Sequence, residues 1–185
     1  MKIHLKDYAF LFLVAGTVLI LDQVSKFIVR ANLSLGDMWS PWHWLTPYAR
    51  IVHINNSGAA FGMLQRFGGI FTILAVIVVI AILYYFPRVP RQEWVLRFAM
   101  GLQFGGAIGN LTDRLMHGGY VTDFISVLTF PVFNVADASI SIGTAILILY
   151  IWFRERDNPP SDTSKPVGSA SDMSSSSVPE DVSGE

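Results

Sequence analysis

Four stretches of this chain, at about residues 8–28, 67–87, 94–113 and 135–153, are apolar and long enough to cross a bilayer. At about 1.5 Å of rise per residue, some twenty residues of helix span the ~30 Å of hydrocarbon. Inside lipid the backbone has no water to bond, so each stretch must satisfy its own N–H and C=O groups, and a helix does so. Composition agrees: 52% of the residues are hydrophobic and 15% charged, too apolar for an ordinary soluble domain. The first stretch follows Lys2 and Lys6 and has the outline of a signal peptide, but it is long and LDQVSKF after it offers no small-residue cleavage site. It reads as a retained helix.

Four crossings put both termini on one side. That side holds Lys2, Lys6, Arg88, Arg91, Arg97, Arg154 and Arg156, against Lys26, Arg30, Arg50, Arg66 and Arg114 opposite, a positive-inside bias that makes the termini cytoplasmic. The segment at about 33–66 is too long for a hairpin loop and too polar for a fifth span. RIVHI is strand-like, and Trp39, Trp42, Trp44 and Tyr48 suit the headgroup level, so a short sheet is expected on the outer interface. FPRVPRQEW makes a tight turn, and residues 157–185 are Ser-rich and acidic, the composition of a disordered tail. Two domains of the chain follow: a helical membrane unit over 1–156 and a tail.

Polar residues within the apolar stretches point to function, because a charge at mid-membrane costs about 2.5–3.5 kcal/mol on insertion scales. Asp22 and Lys26 stand at i and i+4. GGAIGNLTDR at 105–114 ends a row of Gly101, Gly105 and Gly109, spaced for close helix packing, with Asn110, Asp113 and Arg114 on one face. Asn56 precedes the second helix, Asp123 sits in VTDFISV, and Asn134 with Asp137 forms a capping box at the last helix. All of these map to one level near the outer surface, where scattered caps would not converge.

The residues exclude several chemistries. There is no Cys, so thiolate nucleophiles and Cys-held metals are absent, and the isolated His4, His43, His53 and His117 form no HExxH motif. No metal or other cofactor is therefore expected. Nor does any basic tract mark a nucleic-acid partner. Ser25 and Lys26 are adjacent and diverge on a helix, and His53 with Ser57 lacks an oxyanion site. Two aspartates in a poorly hydrated site share one proton and so supply an acid and a base together. Rival readings are a proton-coupled transporter, which predicts polar residues throughout the bilayer, and a non-catalytic scaffold.

The ordered set DQVSK (22–26), NSGAAFG (56–62), GGAIGNLTDR (105–114), VTDF (121–124) and FNVAD (133–137) resembles the lipoprotein signal peptidases, the bacterial type II signal peptidases. The resemblance implies a four-transmembrane-helix bundle with a small extracytoplasmic β-cradle and a short periplasmic helix. It implies an inner-membrane aspartic endopeptidase, its site near the periplasmic face, that cleaves diacylglyceryl-modified prolipoproteins ahead of the lipidated cysteine. By the same resemblance Asp123 and Asp137 are catalytic, and Asp22, Asn56, Gly58, Asn110, Arg114 and Asn134 line or support the site. Lys26 and Asp113 match motif positions and are expected to act structurally. The partners implied are the prolipoprotein and the bilayer, with the protein a monomer.

Overall fold

Buried positions along the first helix, α1 (Ala9–Asn32), recur every three or four residues: Leu11, Ala15, Val18, Asp22, Lys26 and Val29. That spacing is one helical stripe, and partway along it turns from apolar to charged. The remaining faces carry Leu13, Ile20 and Phe27, each more than 60% exposed, an apolar exterior suited to lipid. The computed structural model describes residues 8–58 and 68–157. Lys2, Lys6, Arg66, the AAFG of NSGAAFG and the tail beyond Asp157 lie outside the described residues.

After α1 come β1 (Met38–Trp39), β2 (Ala49–Asn56), α2 (Gly68–Tyr85), α3 (Trp94–Met116), β3 (Val121–Val127) and α4 (Val135–Asp157). Among the described residues α1, α4 and the helical run Gly69–Arg88, which takes in α2 apart from its first residue, are long and apolar enough to cross a membrane. The 23 residues of α3 are long enough but too polar to pass on composition. Position explains the difference. Helix α3 packs against α1, α2 and α4, so its polar side chains meet protein instead of lipid.

Small residues make that central position possible. A Cβ on Gly105 would lie 2.8 Å from the Ala15 carbonyl oxygen of α1, and one on Gly106 would lie 2.5 Å from the Ala136 oxygen of α4. The glycine row thus does pack α3 closely against its neighbours, as its spacing suggests. At one end of the bundle Leu11, Ala15, Ile82, Phe86 and Phe104 close the core, and the Tyr8 hydroxyl donates to the Leu83 carbonyl (3.0 Å).

The strands form one antiparallel sheet in the order β1-β2-β3. The sheet is therefore not confined to 33–66: its third strand is VTDFISV, from beyond α3. A register shift between Ile51 and Ile54 places Asp123 opposite Ile54 and Val121 opposite Asn56. The chain then turns at Leu128 (φ 48°), and Phe133 folds back antiparallel to Ile125. Within the described part of 33–66 the helical element is a single 3-10 turn at His43–Leu45. Trp42 and Trp44 are exposed there, stacked at 6.0 Å.

Candidate active site

The hairpin that returns Phe133 to Ile125 sets Asn134 beside Asp123 and starts α4 in the same place, so Asp137 arrives one helical turn later. Asn134 is fully buried and bonded to both acids. Its side-chain amide donates to Asp123 Oδ1 (2.7 Å), and its backbone N–H donates to Asp137 Oδ2 (3.3 Å). In return Asn134 Oδ1 accepts from the Asp137 N–H (2.9 Å), the reciprocal capping box its sequence spacing suggests. One asparagine both caps α4 and joins the two carboxylates.

The other two carboxylate oxygens are also engaged. Asn56, at the end of β2, donates to Asp123 Oδ2 (2.7 Å), and Asn110 of α3 donates to Asp137 Oδ1 (2.7 Å). Gly58 orients the first of these donors, since its N–H occupies Asn56 Oδ1 (2.9 Å) and leaves the amide nitrogen for the acid. Only glycine suits that position: φ is +106°, and a Cβ would lie 2.5 Å from the Phe71 ring. Asp123 is 2% exposed. Burial, and then the charge of Asp137, push its pKa up to about 6 against the hydrogen bonds from Asn56 and Asn134.

Behind the acids lies a second, fully buried cluster. Lys26 Nζ donates to Asp22 Oδ2 (2.8 Å), Asp113 Oδ2 (3.2 Å) and Asn110 Oδ1 (3.2 Å), which uses all three ammonium hydrogens. Because lysine can only donate, it holds the Asn110 oxygen toward itself and turns the amide nitrogen toward Asp137. Arg30 adds a second cation 3.6 Å from Asp113, so the two acids are balanced in charge. These acids also anchor backbone: Asp22 Oδ1 accepts from Ala136 N–H (2.9 Å), and Asp113 Oδ2, the oxygen Lys26 also holds, accepts from Thr122 N–H (2.9 Å). Ala136 and Thr122 immediately precede Asp137 and Asp123. Each buried acid thus fixes the residue before one of the pair.

The sequence-derived candidates therefore meet, but in two groups. Asp123, Asp137, Asn56, Asn110 and Asn134 form the carboxylate site, with Gly58 beneath Asn56. Lys26 and Asp113, expected to act structurally, form the buried cluster behind it, and Asp22, expected to line the site, lies with them. Asp113 does not share a face with Arg114 at the site. Arg114 is half-buried and lines a cavity of about 360 Å³ with Asn110 and Asp137, its Nη1 within 3.5 Å of the Asn110 carbonyl oxygen. That cavity runs between α2, α3 and α4, walled by Phe71, Leu74, Val78, Ala107 and Ile140. The serine alternatives do not assemble: His53 Nδ1 bonds to the Leu33 carbonyl oxygen (2.8 Å), and the Ser25 hydroxyl donates to the Asp22 carbonyl oxygen (2.9 Å). Sequence reasoning had not placed Arg30 or Thr122, joined at 3.0 Å, in the support.

Fold and site together define a helical membrane protein with a paired-carboxylate centre beside an apolar cavity. Residues 14–153 match the family model described as signal peptidase (SPase) II. A lipoprotein signal peptidase of Halothermothrix orenii is 34% identical over 78% of this chain and 97% of its own length. One from Alteromonas mediterranea is 38% identical over 74% of this chain and 76% of its own. Among solved structures, a bacterial membrane enzyme determined by the in meso method at 2.3 Å resolution aligns with TM-score 0.72 and 32% identity, covering 82% of this chain and 92% of that one. The chain belongs to the signal peptidase II family. It is a multi-pass membrane peptidase with signal peptidase II function.

Proposed function

We propose that this protein is an aspartic endopeptidase of the bacterial inner membrane. It removes signal peptides from diacylglyceryl-modified prolipoproteins, cutting ahead of the lipidated cysteine, with Asp123 and Asp137 as the catalytic pair. The observation that carries this reading is the bridging of the two carboxylates by Asn134 at the end of an apolar cavity, in a chain of this family.

In this mechanism the pair holds one proton. The ionised carboxylate takes a proton from water, the water oxygen attacks the scissile carbonyl carbon, and the protonated acid donates to the carbonyl oxygen. Collapse of the tetrahedral diol protonates the leaving amine nitrogen and returns the pair to its starting state. Asn110, Asn56 and Asn134 hold the carboxylates in place, and Arg114, beside Asp137, positions the substrate backbone. All four helices cross the membrane, α3 included, with the site at the periplasmic face and both termini cytoplasmic. The unit is residues 1–156 acting as a monomer, and 157–185 is a tail outside the chemistry. A surface site suits the reaction, because hydrolysis needs water while the diacylglyceryl group stays in lipid.

The test is cleavage by purified protein in detergent of a diacylglyceryl-modified prolipoprotein and of the same polypeptide without lipid. Cleavage of the lipidated form alone is expected. Equal cleavage of both would remove the lipid from the recognition, and cleavage of neither would overturn the peptidase assignment.

A further inference from the structure

Helices α3 and α4 carry two polar rungs across their interface. The first joins Asn110 to Asp137 at 2.7 Å. The second joins Gln103 Nε2 to Thr144 Oγ1 at 3.1 Å. Gln103 lies seven residues before Asn110, and Thr144 seven residues after Asp137, so the second rung is two turns, about 10 Å, deeper along the same faces. Both rungs line the same cavity, and its walls between them include Ala107 and Ile140.

The deeper rung is not saturated. The Thr144 hydroxyl donates to the Ile140 carbonyl oxygen (2.8 Å) and accepts from Gln103, so its proton is used. Gln103 Oε1, among the described residues, has no hydrogen-bond partner. Thr144 is exposed and Gln103 half-buried, so that oxygen is accessible from the cavity Gln103 lines and open to a donor on whatever occupies it.

We infer that Gln103, held by Thr144, is a specificity-determining residue that reads a hydroxyl-bearing side chain in the substrate's signal segment. This rests on the peptidase reading above, with the segment lying in the cavity and its scissile bond at the acids. A main-chain N–H is the same at every residue, so only a side-chain donor makes the contact depend on sequence, and an uncharged hydroxyl is the least costly one to bring into an apolar cavity. Ten ångströms corresponds to about three residues of extended chain or about seven of helix. The side chain read is therefore a serine or threonine three to seven residues upstream of the cut.

The experiment uses the full chain and lipidated substrates whose signal segment is all leucine or carries one serine, scanned through that window and placed once well outside it. The readout is the ratio of kcat/KM for each serine substrate to that for the all-leucine substrate. In the wild type this ratio peaks at one or two positions of the window. In Gln103→Leu and Thr144→Val it falls there by about three- to twentyfold, the range of side-chain hydrogen bonds between membrane helices. A purely packing role changes kcat/KM for every substrate alike and leaves the ratio flat, which would overturn the inference. So would a wild-type ratio with no positional peak. Absence of wild-type cleavage of the all-leucine substrate would instead count against the peptidase reading itself.

Discussion

Replacing Lys26 with methionine keeps most of the side-chain length while removing every hydrogen bond at its tip. In the native protein Nζ holds Asp22 at 2.8 Å, Asp113 at 3.2 Å and the Asn110 oxygen at 3.2 Å, and Lys26 and both acids are fully buried. The variant leaves two buried carboxylates with Arg30, among the described residues, as the one remaining Lys or Arg within 4 Å of either. Breaking a buried pair by removing one partner costs about 3–5 kcal/mol. For a chain of this size each kcal/mol is worth about 2–4 °C, so thermal unfolding in detergent, followed by tryptophan fluorescence, shifts down by about 6–20 °C. The loss has a partner-specific signature. Lys26→Met combined with Asp113→Asn removes a charge the lysine no longer balances, so the double variant is more stable than the sum of the singles by about 0.5–3 kcal/mol. Activity falls as well, because the Asn110 amide is then oriented toward Asp137 only by the longer donation from Asn134 Nδ2 to its oxygen (3.3 Å). Unfolding of Lys26→Met within about 1 kcal/mol of wild type, or strictly additive singles, would refute the support role assigned to this cluster.

The geometry also fixes a pH dependence and a packing cost. Asp123, raised to about 6, loses the shared proton as pH rises through that value, so kcat/KM for the free enzyme declines on the alkaline side with a limb near pH 6. Asn56→Ala removes a bond that favours the charged carboxylate, which moves this limb to higher pH by about one to two units; an unmoved or lowered limb contradicts the assignment. The same sign governs folding: protonation of Asp123 favours the native state, so its contribution is greatest in acid and is lost as pH rises through about 6. Gly106→Ala forces a Cβ against the Ala136 carbonyl, costs about 1–3 kcal/mol and lowers kcat by displacing Asp137, whereas Gly16→Ala, with open space around it, leaves unfolding the same or slightly later.

Much of the site was legible because polar residues stand out against apolar sequence. Helical spacing paired Asp22 with Lys26 on one helix and Asn110 with Asp113 and Arg114 on another, and the three-residue interval gave the Asn134–Asp137 box. What spacing could not supply is which acid serves which purpose. Asp22 and Ala136 are bonded across 114 positions, and Asp113 and Thr122 across a change from helix to strand, so no local pattern announces either. The third strand was hidden for a related reason. VTDFISV is buried on both faces over most of its length, and so lacks the alternation by which a half-exposed strand declares itself. Helix α3 shows the reverse difficulty: its centre in the bundle buries Arg97, Asn110 and Asp113, and hydropathy, which assumes lipid contact, underrates it. Nothing in the sequence set Gln103 apart, since its meaning comes from the matching register of α4.

The account stands most directly on the two acids, and the decisive measurement is kcat/KM for cleavage of a diacylglyceryl-modified prolipoprotein by Asp123→Asn and Asp137→Asn, each shown by its unfolding transition to be folded. Loss of at least about 100-fold in both is predicted, since neither half of an acid–base pair can replace the other. A folded variant of either kind that keeps activity within tenfold of wild type would contradict it.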